Sequence, residues 1–342
     1  MAHPASYIAY CFEKAQGPLT RAEVSWKDPQ EGEVVLKVLA CGMCGTDTIV
    51  QVGGLPSGFP RVPGHEIVGE IVATHPSVKD FTVGQRVGAG WQRDFCRKCS
   101  NCLSGKQMGC NELVKFTTGC ACDGGLAQYV TIPTTGICPV PQDADPAEVA
   151  PLLCAGLTVY KAMSYNQVPA QSLVAIHGIG GLGHLAIQYS KAMGYRTVAI
   201  SSTGSKKDVA VSLGADYYID ESTQDAVAEL QKLGGAAEIV TTAPSSAAAW
   251  KMLDGLAFEG KLLVLSLPLD TGAPLSPSML CTRRLSISGY LVGDADDCAE
   301  TIVFSKKHGI KCMVETFPLD KAQEAFAHRS KAKFRAVVLP WA

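Results

Sequence analysis

Between residues 172 and 291, six short apolar runs alternate with segments of helical length: SLVAIHG (172–178), RTVAIS (196–201), DYYID (216–220), EIVTTA (238–243), KLLVLSL (261–267) and LSISGYL (285–291). Strands that return only after a helix lie parallel, so this rhythm predicts an α/β fold with a doubly wound parallel sheet. The first run leads into HGIGGLGH, in which Gly178, Gly180 and Gly183 form G-x-G-x-x-G between a strand and a helix. The first glycine permits a tight turn, the second lets the backbone approach a pyrophosphate, and the third lets helix and strand pack closely. With Gly181 and Leu182 completing the loop, the helix amino terminus offers its N–H groups to phosphate. The stretch reads as a dinucleotide cradle.

An NAD site places an acid at the end of the second strand, where it binds the adenosine ribose hydroxyls. Here the strand ends Ser201-Ser202-Thr203 and runs on through Gly204-Ser205-Lys206-Lys207. A carboxylate would repel a 2′-phosphate, whereas hydroxyls and an ammonium would accept it. Ser201, Ser202 and Lys206 therefore favour NADP(H) over NAD(H). His184, directly after the glycines, reads as a helix-start residue.

The first 150 residues have a different texture, with short β-like runs (33–40, 67–74, 127–133) broken by Gly and Pro, as in an irregular antiparallel β domain. A chain of 342 residues exceeds one ordinary core, so two domains are expected. The net charge of -2, with lysines and arginines scattered, argues against nucleic-acid or anionic-membrane partners and for small molecules. No apolar window reaches membrane-spanning length, and the first residues carry no basic-then-apolar signal. A cytoplasmic protein is expected, in which 14 cysteines serve as thiols and metal ligands rather than disulfides.

Their spacing is informative. CRKCSNCLSGKQMGC sets Cys96, Cys99, Cys102 and Cys110 at C-x2-C-x2-C-x7-C, which suits a closed, tetrahedral, structural zinc site. An iron–sulfur cluster begins with the same spacing, but the long last gap and the missing Cys-Pro ending speak against it. A second set is dispersed: Cys41 and Cys44 in CGMCGTD, His65 and Glu66 in GHE, and Cys154 in APLLCAGLTVYKAM, a run that reads as helix. Two thiolates and an imidazole would leave a fourth zinc position open for chemistry, but composition alone does not select them from the other cysteines and histidines.

Taken together, CGMCGTD, PGHEIVGE, the four-cysteine stretch, APLLCAGLTVYKAM, GIGGLGH and LSISGYLVG make the chain resemble a zinc-dependent medium-chain alcohol dehydrogenase along nearly its whole length. Within that family it is similar to the NADP-using cinnamyl alcohol dehydrogenase and yeast-type alcohol dehydrogenase branches. The resemblance implies that Cys44, His65 and Cys154 hold the catalytic zinc, with Cys41 a packed thiol outside the set. It makes Asp47 the carboxylate that fixes the ligand histidine, Glu66 a neighbour that tunes the metal, and Thr46 the hydroxyl that passes the substrate proton. Trp91 resembles the aromatic wall of the substrate pocket, and Arg335 the late arginine near the cofactor pyrophosphate. Gly45 and Ile49 stand where many relatives carry histidines, one near the cofactor phosphate and one ending the proton relay.

The resemblance further implies a GroES-like catalytic domain made of residues 1–153 and 292–342, with its zinc lobe at about 93–113, around a Rossmann domain at 154–291. The expected reaction is hydride transfer between NADP(H) and a primary alcohol or aldehyde, in the aldehyde-reducing direction, with two zinc ions per chain. An NAD-dependent alcohol or polyol dehydrogenase of the same family is the alternative within the enzyme class. A catalytically silent cofactor-binding protein is the alternative outside it. The family makes a homo-oligomer the expected assembly, with a dimer favoured through the 285–291 edge strand.

Overall fold

The computed structural model describes residues 3–55, 58–268, 270, 274–329, 331 and 334–342. Met1 and Ala2, part of the segment read for a targeting signal, lie outside them. The chain divides into two compact units, Met1–Leu157 with Val292–Ala342 and Thr158–Leu291.

In the first unit β1 (Ser6–Phe12) and β2 (Leu19–Ser25) form an antiparallel hairpin, followed by β3 (Glu33–Gly42), β4 (Glu66–Thr74), β5 (Arg86–Ala89), β6 (Tyr129–Pro133) and β7 (Ile137–Pro139). The second unit holds β8 (Leu173–His177), β9 (Arg196–Ser201), β10 (Tyr217–Asp220), β11 (Ala236–Thr241), β12 (Leu256–Val264) and β13 (Ser286–Gly289). The chain then returns to the first unit with helix Ala295–His308, β14 (Val314–Pro318), helix Ala322–His328 and β15 (Arg335–Leu339).

The second unit is an α/β, Rossmann-like sheet in the order β10-β9-β8-β11-β12-β13, and every pairing in it is parallel. The order reverses between β8 and β11, so the strand ends there open a crevice of the kind that holds dinucleotides. Its central strands are buried on both faces; Val174, Ala175, Val198, Ile200 and Ile239 are almost fully enclosed. One strand differs from the sequence reading: β12 begins at Leu256 rather than 261, because a register shift opposite Ala236/Glu238 absorbs extra residues, with Glu259 at a positive φ of 60°.

The first unit is GroES-like, a sheet in the order β14-β15-β3-β4-β5-β7 with β6 on β3. All its pairings are antiparallel except β14 with β15, where the helix Ala322–His328 makes the crossover that a parallel pair needs. Val34, Leu36, Ile67, Ile71, Val87 and Ile132 fill one side of this sheet. Among the described residues no helix is long and apolar enough to cross a membrane.

The run APLLCAGLTVYKAM is not one helix. A 3-10 turn covers Ala150–Leu153, Cys154 takes φ -135° and ψ -69°, and an α-helix starts at Ala155. The thiol thus sits at a break between two helical pieces and leaves the backbone at an angle that neither piece would allow.

Candidate metal centre and cofactor cradle

β15, β3 and β4 lie side by side, and their ends bring four distant segments together: Gly42 pairs with Val337 on one side and with Glu66 on the other. Cys44 follows β3 in the turn before the short helix Thr46–Gln51, His65 and Glu66 open β4, and Arg335 opens β15. Gly42 is a steric requirement, since a Cβ there would meet Glu66 Oε2 at 2.0 Å. The Glu66 carboxyl reaches across β3 through the space that glycine leaves.

The ligand atoms of Cys44, His65, Glu66 and Cys154 all lie within 4.8 Å of one another, and all four residues are buried. Cys44 Sγ and Cys154 Sγ stand 3.8 Å apart. Two sulfurs bound to one zinc at about 2.3 Å and near the tetrahedral angle would be separated by about 3.8 Å. His65 is 1% exposed, and neither of its ring nitrogens has a hydrogen-bond partner. Buried polar groups need partners, so an imidazole whose nitrogens find none in the protein and that lies beside two thiols suits the role of a metal ligand. The residues fit a zinc ion.

The electrostatics agree. Cys44 shares a proton with Cys154, which, with His65 beside it, draws Cys44 well below the ordinary thiol range despite burial, while Cys154 is pushed well above it. Burial alone would lower His65, but the Cys44 thiolate, followed by Asp47 and Glu66, lifts it to about 9. Burial raises Glu66 to about 8 even though Arg335 pulls it down. Metal ligands bind deprotonated, so a thiol held low beside an imidazole suits a divalent cation.

Asp47 was expected to fix the histidine. Its Oδ1 lies 3.7 Å from His65 Nδ1, longer than a hydrogen bond, and its firm contacts are to the main chain: Cys44 N donates to Oδ2 at 2.8 Å and Gly64 N to Oδ1 at 3.2 Å. The carboxylate thus ties together the two peptide segments that carry Cys44 and His65. Thr46 is half-buried, with Oγ1 3.6 Å from Cys44 Sγ. Trp91, also half-buried, packs against the cluster that contains Cys44 and Cys154. Cys41 is fully buried in the core of the sheet, outside the donor group.

Arg335, expected near a pyrophosphate, opens β15 beside Glu66. It is 6% exposed, its Nη2 lies 3.1 Å from Glu66 Oε1, and its Nη1 donates to the Met43 carbonyl at 3.2 Å. Its Nε and Nη2 are buried without a hydrogen-bond partner among the described residues, so the guanidinium keeps donors beyond these two contacts. Sequence reasoning missed this pairing because the partners are far apart in the chain.

The second cluster is local. Cys96, Cys99, Cys102 and Cys110 also bring their sulfurs within 4.8 Å of one another, and Cys96 Sγ lies 3.8 Å from Cys102 Sγ. Backbone N–H groups point at the sulfurs: Cys99 N donates to Cys96 Sγ, and Cys96 N and Glu112 N to Cys110 Sγ, each at 3.4 Å. Such donors stabilise thiolates, and the N–H groups of Asn111 and Cys102 bring Cys99 down to about 6. Four mutually close sulfurs fit a closed tetrahedral zinc.

In the second unit, Gly178 has φ +93°, and a Cβ on Gly183 would meet the Gly178 carbonyl oxygen at 1.9 Å, so turn and helix start lie in direct contact. A Cβ on Gly180 would meet nothing within 4 Å, which leaves that stretch of backbone open to a ligand. Gly181 and Leu182 complete the turn, and Leu182 is the N-cap of the helix Gly183–Ala192. His184 is buried, with Nδ1 3.1 Å from the Gly180 carbonyl oxygen. No motif marks Thr242, which follows β11 and whose hydroxyl donates to the Gly178 carbonyl at 2.9 Å, closing the turn. Ser201 is buried at the end of β9 and Ser202 is exposed, while Lys206 reaches back so that Nζ donates to the Ile179 carbonyl at 2.6 Å. The ammonium expected to meet phosphate is thereby drawn onto the glycine turn itself.

Comparison with known proteins agrees with this arrangement. Residues 30–142 match the alcohol dehydrogenase GroES-like domain, and residues 181–307 match the zinc-binding dehydrogenase family. The alcohol dehydrogenase patD of Aspergillus clavatus is 41% identical over 349 residues, covering 96% of this chain and 89% of its own. A crystal structure of CAD from Helicobacter pylori complexed with NADP(H) superposes with a TM-score of 0.87 at 26% identity, covering 98% of both chains. Acetophenone reductase from Geotrichum candidum, in complex with NAD, superposes with a TM-score of 0.86 at 27% identity, covering 100% of this chain and 99% of that one. Two donor clusters, a glycine-turn cradle and relatives matched end to end converge on one assignment: the chain belongs to the zinc-dependent alcohol dehydrogenase family, oxidoreductases that act on alcohols.

Proposed function

We propose that the protein is an NADP(H)-dependent dehydrogenase of primary alcohols that works in the aldehyde-reducing direction as a cytoplasmic homodimer with two zinc ions per chain. Cys44, His65 and Cys154 hold the catalytic zinc, and Cys96, Cys99, Cys102 and Cys110 the structural one. Bound there, the catalytic zinc supplies Lewis acidity toward an alcohol or carbonyl oxygen, while the nicotinamide supplies or takes the hydride.

The chain's own residues do the rest. The thiolates of Cys44 and Cys154 balance a divalent charge, and Arg335 balances Glu66, so the buried site carries little net charge. Asp47 holds the Cys44 and Gly64 amides and with them the spacing between the ligands. Thr46 Oγ1 gives the proton to, or takes it from, the substrate oxygen. With the apolar Ile49 close behind it in sequence, that proton exchanges with solvent rather than with a histidine. Trp91 supplies an apolar wall for the substrate. Gly178, Gly180, Gly181, Leu182 and Gly183 cradle the pyrophosphate, and Ser201, Ser202 and Lys206 meet the 2′-phosphate.

One observation carries the NADP(H) reading: β9 ends in a serine rather than an acid, and the Lys206 ammonium lies on the glycine turn. A second reading, NAD(H), draws on Asp220, whose Oδ2 would lie 2.7 Å from a Cβ on Gly204 and brings negative charge to the same loop. Rates of NADPH and NADH oxidation with an aromatic and an aliphatic aldehyde, with and without a zinc chelator, test both. Chelator-sensitive oxidation with NADPH well ahead supports the proposal; NADH ahead transfers it to the second reading; no turnover with either removes both.

A further inference from the structure

Tyr218, in the middle of β10, belongs to no motif, yet its side chain reaches over the neighbouring strand into the loop that follows β9. Its hydroxyl donates to the Thr203 carbonyl. Burial raises the phenol and the nearby Asp220 carboxylate reinforces this, while the Ser201 hydroxyl and the Lys206 main-chain N–H favour its ionised form. Within the loop the Thr203 hydroxyl accepts from Ser205 N at 3.3 Å and lies 3.2 Å from the Ser205 hydroxyl. Thr203 is extended (φ -156°) and Gly204–Lys206 is a single 3-10 turn, a conformation too short to hold itself in place. Lys206 closes the circuit by donating to the Ile179 carbonyl at 2.6 Å, which links the loop to the glycine turn.

We propose that Tyr218 is the positioning residue of the adenosine end of the cofactor site, setting the discrimination between phosphorylated and unphosphorylated ribose by holding Ser201, Ser202 and Lys206 in one arrangement. The inference rests on the NADP(H) reading above. A 2′-phosphate is recognised by several donors converging on one small anion, so its affinity depends steeply on their mutual placement. A bare ribose hydroxyl makes fewer contacts with the loop and depends on it less. Tyr218 touches no cofactor atom in this account and acts through the loop.

Calorimetric titration of the zinc-loaded enzyme with adenosine 2′,5′-bisphosphate and with adenosine 5′-monophosphate tests the inference without turnover. The wild-type protein is expected to bind the bisphosphate at least about tenfold more tightly than the monophosphate. Tyr218→Phe, which keeps the ring and removes the hydroxyl, should weaken the bisphosphate about tenfold and the monophosphate less than twofold, with the same split in KM for NADPH and NADH at nearly constant kcat. If the wild type shows no preference for the bisphosphate, the NADP(H) reading fails and takes the inference with it. If the preference is present and Tyr218→Phe keeps it, or loses both ligands equally, the NADP(H) reading stands and the positioning role is overturned.

Discussion

Cys96, Cys99, Cys102 and Cys110 converge from one stretch whose outermost members are 14 residues apart, whereas Cys44 and Cys154 meet across 110 residues. The first set is partly exposed and wrapped by its own backbone N–H groups; the second is buried at strand ends, with the Asp47 carboxylate of the following helix holding the Cys44 and Gly64 amides. Both clusters have a sulfur pair at 3.8 Å, so the difference is not in how they fit the metal. It is in what they spare. Four sulfurs complete a tetrahedron, while two sulfurs and an imidazole leave a position beside a carboxylate that Arg335 already engages. On the proposed assignment the local cluster serves the fold and the dispersed one the reaction.

Replacing one ligand in each cluster should separate those consequences. Cys154→Ser is expected to lower kcat by more than about a thousandfold, the scale of losing a Lewis acid worth several kcal/mol. Zinc content should fall by half while titration with adenosine 2′,5′-bisphosphate is unchanged; wild-type turnover in this variant would refute the catalytic assignment. Cys99→Ser should do the reverse, lowering the melting temperature on the order of 10 °C through loss of several kcal/mol of metal-coupled folding. Proteolysis should then open the chain near residues 96–110, while kcat measured in the cold stays within a few-fold of wild type.

This contrast also explains what the sequence could disclose. Close cysteine spacing, the glycine turn and the strand–helix rhythm are local, and each was legible because neighbours in the chain form the contact. The dispersed ligands became legible only through resemblance to a family. The Arg335–Glu66 pair and the Thr242 bond to Gly178 were not legible, because register between strands far apart in sequence creates them; the Tyr218 staple spans only 15 residues but belongs to no motif. The break at Cys154 was hidden for another reason: Ala150–Leu153 and Ala155–Tyr165 both favour helix, and only packing of the 3-10 turn against β4 and β3 forces the chain to change direction between them.

The buried ion pair offers a sharper test of how the reactive cluster is held. Arg335→Met takes from Glu66 the guanidinium beside it in a site where both are almost fully enclosed, and should cost about 3–5 kcal/mol. Pairing it with Glu66→Gln should return most of that loss, because two neutral side chains replace two charges. Denaturant midpoints of the four proteins give the coupling. Additive losses would mean that the two groups act independently and that Arg335 does not serve as the counter-ion.

Glu238 supplies the control, a buried carboxyl in the other unit, where no metal-ligating cluster is found among the described residues. It is 1% exposed on β11, and neither carboxyl oxygen has a hydrogen-bond partner. Its neighbour Lys261 spends its ammonium on the Asn166 and Gln167 carbonyls. Burial, only partly offset by Lys261, pushes Glu238 from 4.5 to about 8. The folded state therefore holds this proton more tightly than the unfolded chain does, and stability falls as pH rises from about 4.5 to about 8, levelling off above that. Glu238→Gln, which keeps the shape and cannot ionise, should match the wild type near pH 4 and exceed it at pH 9 by on the order of 2–3 kcal/mol. Urea midpoints across that range would show a widening gap. A constant gap would mean that the carboxylate finds water or a cation when it ionises, and that burial without a partner is less costly in this sheet than around His65.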